Sequence, residues 1–316
     1  MSSAVATHFR SSKGSLPIGL ALSAGGARGA YQLGCWKAFL EHGLSFQAVA
    51  GSSIGALNGA LVCQGDWESA RRLWSEFTRA QVLGLDFGRI VKFAAVLAGD
   101  IGLLFLPVPK VRAARFVKYA SSLAKFASRH GALGRLRRHG LLSIFGLRPL
   151  LMRHLDLGLV QRQPAPLFIT ACGPSRAFNP VGDPTWFRIQ DCSEEEAWRI
   201  LAASMSIPYV FAPVEMHGTR YSDGGLGQWL PLRPLYDNGV RRIVAVSTKA
   251  GIRVRPEDYP DGEVVLISPE KPLGRFPVAT FRFTRHAVDA WTELGYRDAS
   301  RVLEHESLAE RWGAKA

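Results

Sequence analysis

Three short stretches of this chain combine residue types that suit nucleophilic chemistry. Gly51-Ser52-Ser53-Ile54-Gly55 is a G-x-S-x-G string. Such a string acts only when an apolar strand enters it and a helix leaves it. The central serine then sits on a cramped turn, and small neighbours let its Oγ project clear of the backbone. At a helix N-terminus the free N–H groups and the helix dipole favour the alkoxide that forms there. Gly25-Gly26-Ala27-Arg28-Gly29 is a second glycine turn, able to point several backbone N–H groups at one anion. Asp223-Gly224-Gly225 is an ordinary turn by itself. Beside a serine, a partly desolvated carboxylate gains enough basicity to take a hydroxyl proton.

Each stretch has a competing reading. A dinucleotide loop of the form G-x-G-x-x-G would need glycine where Ala24 stands. It would also need an acidic residue at the tip of the next strand. Glu41 comes too early, and Ala48 to Ala50 supplies no acid. A loop of amide donors for an oxyanion is therefore preferred, one βα unit ahead of the serine turn. A Ser-Asp-His triad is formally open, because His286 follows Asp223, but His286 falls in a run, Phe281 to Leu294, with helical character. Four cysteines, Cys35, Cys63, Cys172 and Cys192, form no CxxC pair and have no histidine at metal spacing. They are expected to be reduced thiols of a reducing compartment, with no metal and no cofactor in the chemistry.

The elements that must position these residues follow from apolar runs and glycine punctuation. Ile18 to Leu22 reads as a strand ahead of the first glycine loop, and Tyr31 to His42 as a helix ended by Gly43. Phe46 to Ala50 reads as a second strand and Ile54 to Gln64 as a second helix. Further on, Leu167 to Ala171, Arg241 to Ser247 and Val264 to Ser268 read as strands, and His217 to Tyr221 as a hairpin arm. Glu194 to Ser204 reads as a helix, and Thr280 to Trp312 is largely helical. Strands alternating with helices predict an α/β domain of three layers, α/β/α, around a mostly parallel sheet.

With those blocks in order, the chain resembles the bacterial patatin-like phospholipases. The similarity rests on LALSAGGARGAYQLG, AGSSIGALNGAL, ASMSIPYVFAPVEMHGTRYSDGG and LPLRPLYDNGVRRIVAVS, with a fainter echo at Gly295 to Ala299. It covers Ile18 to about Ala80 and about Leu150 to Leu266. The resemblance implies a lipid acyl hydrolase with a Ser-Asp dyad, Ser53 as nucleophile and Asp223 as base. It places the oxyanion loop at Gly25, Gly26, Ala27, Arg28 and Gly29, with Gly51 and Gly55 shaping the elbow and Gly224 and Gly225 beside the base. Phospholipid or another acyl-ester lipid is the implied substrate. The family's loop usually opens with a third glycine where this chain has Ala24, and a methyl there shifts the loop if that position is left-handed. The alternative is a catalytically silent membrane-binding module that keeps the fold, motivated by Ala24. Arg28 is open to two uses, steering a lipid phosphate or tying the loop to a carboxylate.

The charge is concentrated in one place. The chain has 316 residues and a formal charge of +13, with 39 basic and 26 acidic side chains. Eleven of the basic residues lie between Ile101 and Leu155, a window without a single Asp or Glu, so the remainder is close to neutral. Arg115, Lys118, Lys125 and Arg129 share one helical face there, opposite Phe116, Tyr119 and Leu123. That pattern suits a helix packed on the domain, an interfacial helix on anionic lipid or, least well, a nucleic-acid patch. Peripheral contact with an anionic membrane is the expectation, and nucleic acid is not expected. Residues 1–17 read as a polar tail and 18–316 as one domain with a cationic helical insertion at 85–147. The longest apolar stretch, Phe93 to Val108, is broken by Gly99, Asp100 and Gly102 and is too short for a spanning helix. A cytoplasmic protein able to sit on the inner face of a membrane is the resulting expectation.

Overall fold

A computed structural model describes residues 16–79, 143–173, 182–208, 210–276, 278–306 and 312. Most of the amino-terminal tail and of the cationic insertion, including Arg115, Lys118, Lys125 and Arg129, lies outside the described residues.

The centre is a sheet of eight strands among the described residues. β1 (Ile18–Leu22) is buried along its whole length and pairs in parallel with β2 (Ala48–Ser52). β3 (Leu167–Cys172) extends the parallel sheet beyond β2. β4 (Pro184–Arg188) and β6 (Thr219–Asp223) run antiparallel to β3, and β5 (Val214–Met216) pairs with β6. On the other side of β1 follow β7 (Arg242–Val246) and β8 (Glu263–Ile267), both parallel. The near-continuous apolar runs of β1, β3 and β7 reflect burial on both faces. β4 had no such signal: its residues are exposed or half-buried, and it opens on a proline, tolerated at the first position of a strand.

The helices among the described residues are α1 (Ala30–Glu41), α2 (Ile54–Gln64), α3 (Trp67–Arg79), α4 (Arg148–Leu151), α5 (Leu157–Arg162), α6 (Glu194–Ser204), α7 (Arg233–Asp237) and α8 (Arg285–Glu306). The two outer layers are unequal. The larger core gathers Leu20, Leu22 and Val246 with side chains of α1, α2, α3, α6 and α8. The smaller one joins Ala21, Ala48, Ala50 and Ala245 to Leu232, Leu235 and Val240. Alanines on that face let one short helix, α7, and its flanking turns lie close to the strands. On the thick side α1 and α8 meet at backbone contact, Gly34 against the Thr292 carbonyl and Gly295 against the Tyr31 carbonyl, and the Tyr31 hydroxyl donates to Asp298 at 2.9 Å.

One boundary differs from the sequence reading. β2 starts two residues later than expected, because Phe46 turns away to stack edge-on against Phe39 at 5.3 Å. The end of the cationic window is part of the core: Ile144, Leu150, Leu151 and Leu155 are buried. Two of its arginines face domain carboxylates, Arg148 with Glu195 at 2.7 Å and Arg153 with Glu76 at 3.7 Å.

Candidate active site

β2 ends at Ser52, α2 begins at Ile54, and Ser53 alone makes the turn at φ 55° and ψ −124°. A non-glycine residue held in such a region carries strain on the order of 1–3 kcal/mol. Its neighbours have no room for side chains: a Cβ on Gly51 would meet the Gly55 carbonyl, and one on Gly55 the carbonyl of Leu22. The strained conformer is tied down from outside the turn. The Ser53 N–H donates to Ser204 Oγ at 2.9 Å, and that hydroxyl donates to the Thr170 carbonyl at 2.7 Å. Ser52 Oγ donates to the Gln228 carbonyl at 2.8 Å.

Asp223 is the last residue of β6, separated from β2 by one strand. Register brings the two ends level, with Ser52 opposite Thr170 and Asp223 opposite the next residue, Ala171. Ser53 Oγ donates to Asp223 Oδ2 at 2.6 Å, and the Gly225 N–H donates to Oδ1 at 2.8 Å. Both side chains are buried. Burial pushes the carboxyl up to about 6, against the opposing pull of the hydrogen bonds from Ser53 and Gly225. Asp223 is thus mostly ionised near pH 7 yet more basic than an ordinary aspartate. Gly224 is required by space, since a Cβ there would strike the Thr170 carbonyl, and Gly225 is required by the methyl of Ala24.

The glycine loop runs from Gly25 into a 3-10 turn, Gly26–Gly29, and then α1. Gly26 has φ +59°, and a Cβ on Gly25 would lie 2.5 Å from Thr248 Oγ1. Ala24 is absent from the left-handed residues, so its methyl does not distort the loop. Its N–H donates to the Trp229 carbonyl at 2.9 Å, and its carbonyl accepts from Thr248 Oγ1 at 2.6 Å. The N–H groups of Gly25 and Gly26 have no backbone acceptor among the described residues. The loop lies against the serine elbow, because a Cβ on Gly29 would be 2.6 Å from Ile54 Cγ1. Arg28 does not tie the loop to a carboxylate among the described residues. It is buried, donates from Nε to the Gly25 carbonyl at 3.1 Å and from Nη2 to Thr280 Oγ1 at 3.2 Å, and lies 5.4 Å over the Trp229 ring. No carboxylate pairs with it among the described residues, and burial lowers its pKa.

A buried amide network clamps the loop from behind. Asn58 Nδ2 donates to the Gly29 carbonyl at 3.0 Å and to Gln32 Oε1 at 2.9 Å. Gln32 Nε2 donates to the Ser23 carbonyl at 2.7 Å, and Trp74 Nε1 donates to Asn58 Oδ1 at 3.0 Å. Asn58→Leu strands the Trp74 N–H and two acceptors at once, so a loss of about 3 kcal/mol is expected in urea unfolding. A loss below about 0.5 kcal/mol would show that the clamp is idle.

The structure brings Ser53, Asp223 and the Gly25 to Gly29 loop together. His286 is exposed on the first turn of α8, and no histidine is a hydrogen-bond partner of Ser53 or Asp223 among the described residues. Cys35, Cys63 and Cys172 are buried and Cys192 is half-buried, all four as free thiols. Among the described residues no group of three or more His, Cys, Asp or Glu is placed to hold a metal, and no helix is long and apolar enough to cross a membrane. The sequence reading missed Ser204, Thr248, Thr280 and the Asn58 network. Ser204 lies inside the ASMSIPYVF block, but small polar residues of this kind carry no spacing signal, because their partners are backbone atoms far away in the chain.

A strand-elbow-helix serine in hydrogen-bond contact with a buried aspartate, beside a glycine loop on a mostly parallel sheet, defines an α/β protein with a serine-hydrolase type of site. The model of the patatin-like phospholipases matches residues 20–236, and the chain belongs to that family. It is 25% identical over 244 residues to lysophospholipase NTE1 of Cryptococcus neoformans, covering 77% of this chain and 12% of the relative. It is 26% identical over 263 residues to lysophospholipase NTE1 of Eremothecium gossypii, covering 82% of this chain and 14% of the relative. The chain thus spans only about an eighth of the length of these curated relatives. Among solved structures, VipD from Legionella pneumophila aligns with a TM-score of 0.45 at 15% identity, over 95% of this chain and 72% of that one.

Proposed function

We propose that this chain is a lipid acyl hydrolase that works through a Ser53-Asp223 dyad. The observation that carries the reading is the 2.6 Å hydrogen bond from Ser53 Oγ to a buried carboxylate, made at a strained elbow beside glycine-loop amides without a backbone acceptor among the described residues. Oγ attacks the ester carbonyl carbon as its proton passes to Asp223 Oδ2. The carbonyl oxygen becomes an oxyanion that accepts hydrogen bonds from the N–H groups of Gly25 and Gly26. Collapse of the tetrahedral adduct breaks the bond to the alcohol oxygen, which leaves with the proton from Asp223. Water then attacks the acyl-serine with the same base, releasing fatty acid and restoring Ser53. No histidine among the described residues bonds Ser53 or Asp223, so the base of this cycle is Asp223, its basicity raised by burial.

The substrate class follows from the family and from the lysophospholipase relatives: a phospholipid, a lysophospholipid or a related acyl ester. The cationic window from Ile101 to Leu155 supports peripheral contact with anionic lipid, at about 1 kcal/mol per cation near the surface. The alternative of a silent membrane-binding module loses its motive, because Ala24 is accommodated without a left-handed backbone. A fluorophosphonate probe with mass-spectrometric site mapping tests the reading. Label on Ser53 is expected, absent in Ser53→Ala. An unlabelled Ser53 in folded protein would reject it.

A further inference from the structure

The turn beside the glycine loop carries exposed apolar side chains. Val278–Phe281 is a 3-10 turn whose Thr280 accepts from Arg28 Nη2 at 3.2 Å and whose carbonyl at Thr280 closes over Gly26. Facing outward from the same stretch, Phe276 is 71% exposed and Val278 51%. Large apolar side chains so exposed, within three residues of each other, are poorly placed for water and well placed for an interface.

Between positions 271 and 282 the charged residues are all basic. Lys271, Arg275 and Arg282 are exposed, and none has an acidic partner among the described residues. The nearest acid on this stretch, Glu270, is already engaged by Arg301 at 3.4 Å, and Arg285 pairs with Asp289 at 3.6 Å. Unpaired cations flanking exposed apolar tips match an anionic bilayer, whose headgroups attract the cations while the acyl boundary takes up the phenyl and isopropyl groups.

We propose that residues 271–276 and 278–282 seat the protein on an anionic bilayer, with Phe276 and Val278 entering the headgroup boundary. Because Thr280 touches Gly26 and Arg28, docking there brings the glycine loop to the lipid from which the acyl ester comes. The inference rests on the acyl-hydrolase reading for its biological use, but it is tested by binding and does not depend on the cationic window.

The experiment uses the full chain and sedimentation with vesicles of 70% phosphatidylcholine and 30% phosphatidylglycerol, and with pure phosphatidylcholine. Turnover of soluble p-nitrophenyl butyrate is followed in parallel. Lys271→Gln/Arg275→Gln/Arg282→Gln is expected to weaken partitioning onto the anionic vesicles by about 100-fold, roughly fivefold per cation. Phe276→Ser/Val278→Ser is expected to weaken it by about tenfold or more. Both should hydrolyse the soluble ester within about twofold of the parent rate. Parent-like vesicle affinity in both variants, or a parent protein that ignores anionic vesicles, overturns the proposal. So does loss of soluble-ester turnover in well-folded variants, which would assign the turn to catalysis. A parent protein that binds vesicles but leaves the soluble ester intact sinks the hydrolase reading and leaves the docking surface standing.

Discussion

Ser53→Ala and Asp223→Asn are each expected to lower turnover of a soluble acyl ester on the order of 10⁴-fold, the scale seen when one member of a serine hydrolase's proton-transfer unit is removed. The double variant should be little worse than either single one, because nucleophile and base act through one shared proton. The parent rate should rise with pH along one acidic limb centred near 6, the value to which burial pushes the Asp223 carboxyl. Stability should move the opposite way. Between the unfolded value near 3.8 and about 6, the unfolded chain has released a proton that the folded chain still holds, so each rise in pH favours unfolding. The gap corresponds to about 3 kcal/mol of stability present below pH 4 and absent above about pH 6. Asp223→Asn removes that dependence and should unfold several degrees higher than the parent at pH 8, with no gain at pH 4. An active Asp223→Asn variant, or a parent rate flat from pH 5 to 8, would overturn the assignment of the base.

Gly224→Ala should be the most damaging single methyl in the site. Its Cβ would meet the Thr170 carbonyl, an atom of the strand between nucleophile and base. That carbonyl also accepts from Ser204 Oγ, the group that holds the Ser53 N–H. Backbone facing backbone cannot rotate out of the way, so either β6 leaves β3 or the turn carrying Asp223 shifts. Destabilisation of about 4 kcal/mol or more is expected in urea unfolding, with loss of ester turnover even where folding is rescued by low temperature. Gly146→Ala is the control: nothing lies within 4 Å of a Cβ there, and a change within about 0.5 kcal/mol is expected. Equal behaviour of the two variants would show that the close approach at Gly224 is not a constraint.

The elements around the site were legible because their signals are local. Ile18–Leu22, Ile54–Gln64 and Glu194–Ser204 fall where the apolar runs and glycine punctuation place them, and in the structure a capping box at Ser193 fixes the start of the last. β2 was misplaced by two residues because an apolar phenylalanine reads the same whether it extends a strand or, as Phe46 does, packs on a helix. β4 was invisible because its pattern is neither apolar nor alternating, and it exists only by pairing with β3. In place of the carboxylate tie, Arg28 meets a carbonyl and a hydroxyl, acceptors that leave no trace in charge patterning.

By itself, the order of residues determined which chemistry was available: a serine in a tight turn, glycines to cradle an anion, and an aspartate before two more glycines. It also determined the elements on which they ride, because helix and strand signals act over a few neighbours. Only the folded chain decided that Ser53 and Asp223, 170 residues apart, share a proton at 2.6 Å, that Asp223 loses its water, and that Ser204 holds the strained turn. Those outcomes depend on the register of β2 and β6 on the two sides of β3 and on the exclusion of solvent between layers. Register and solvation are properties of distant segments packed together, and no local pattern carries them.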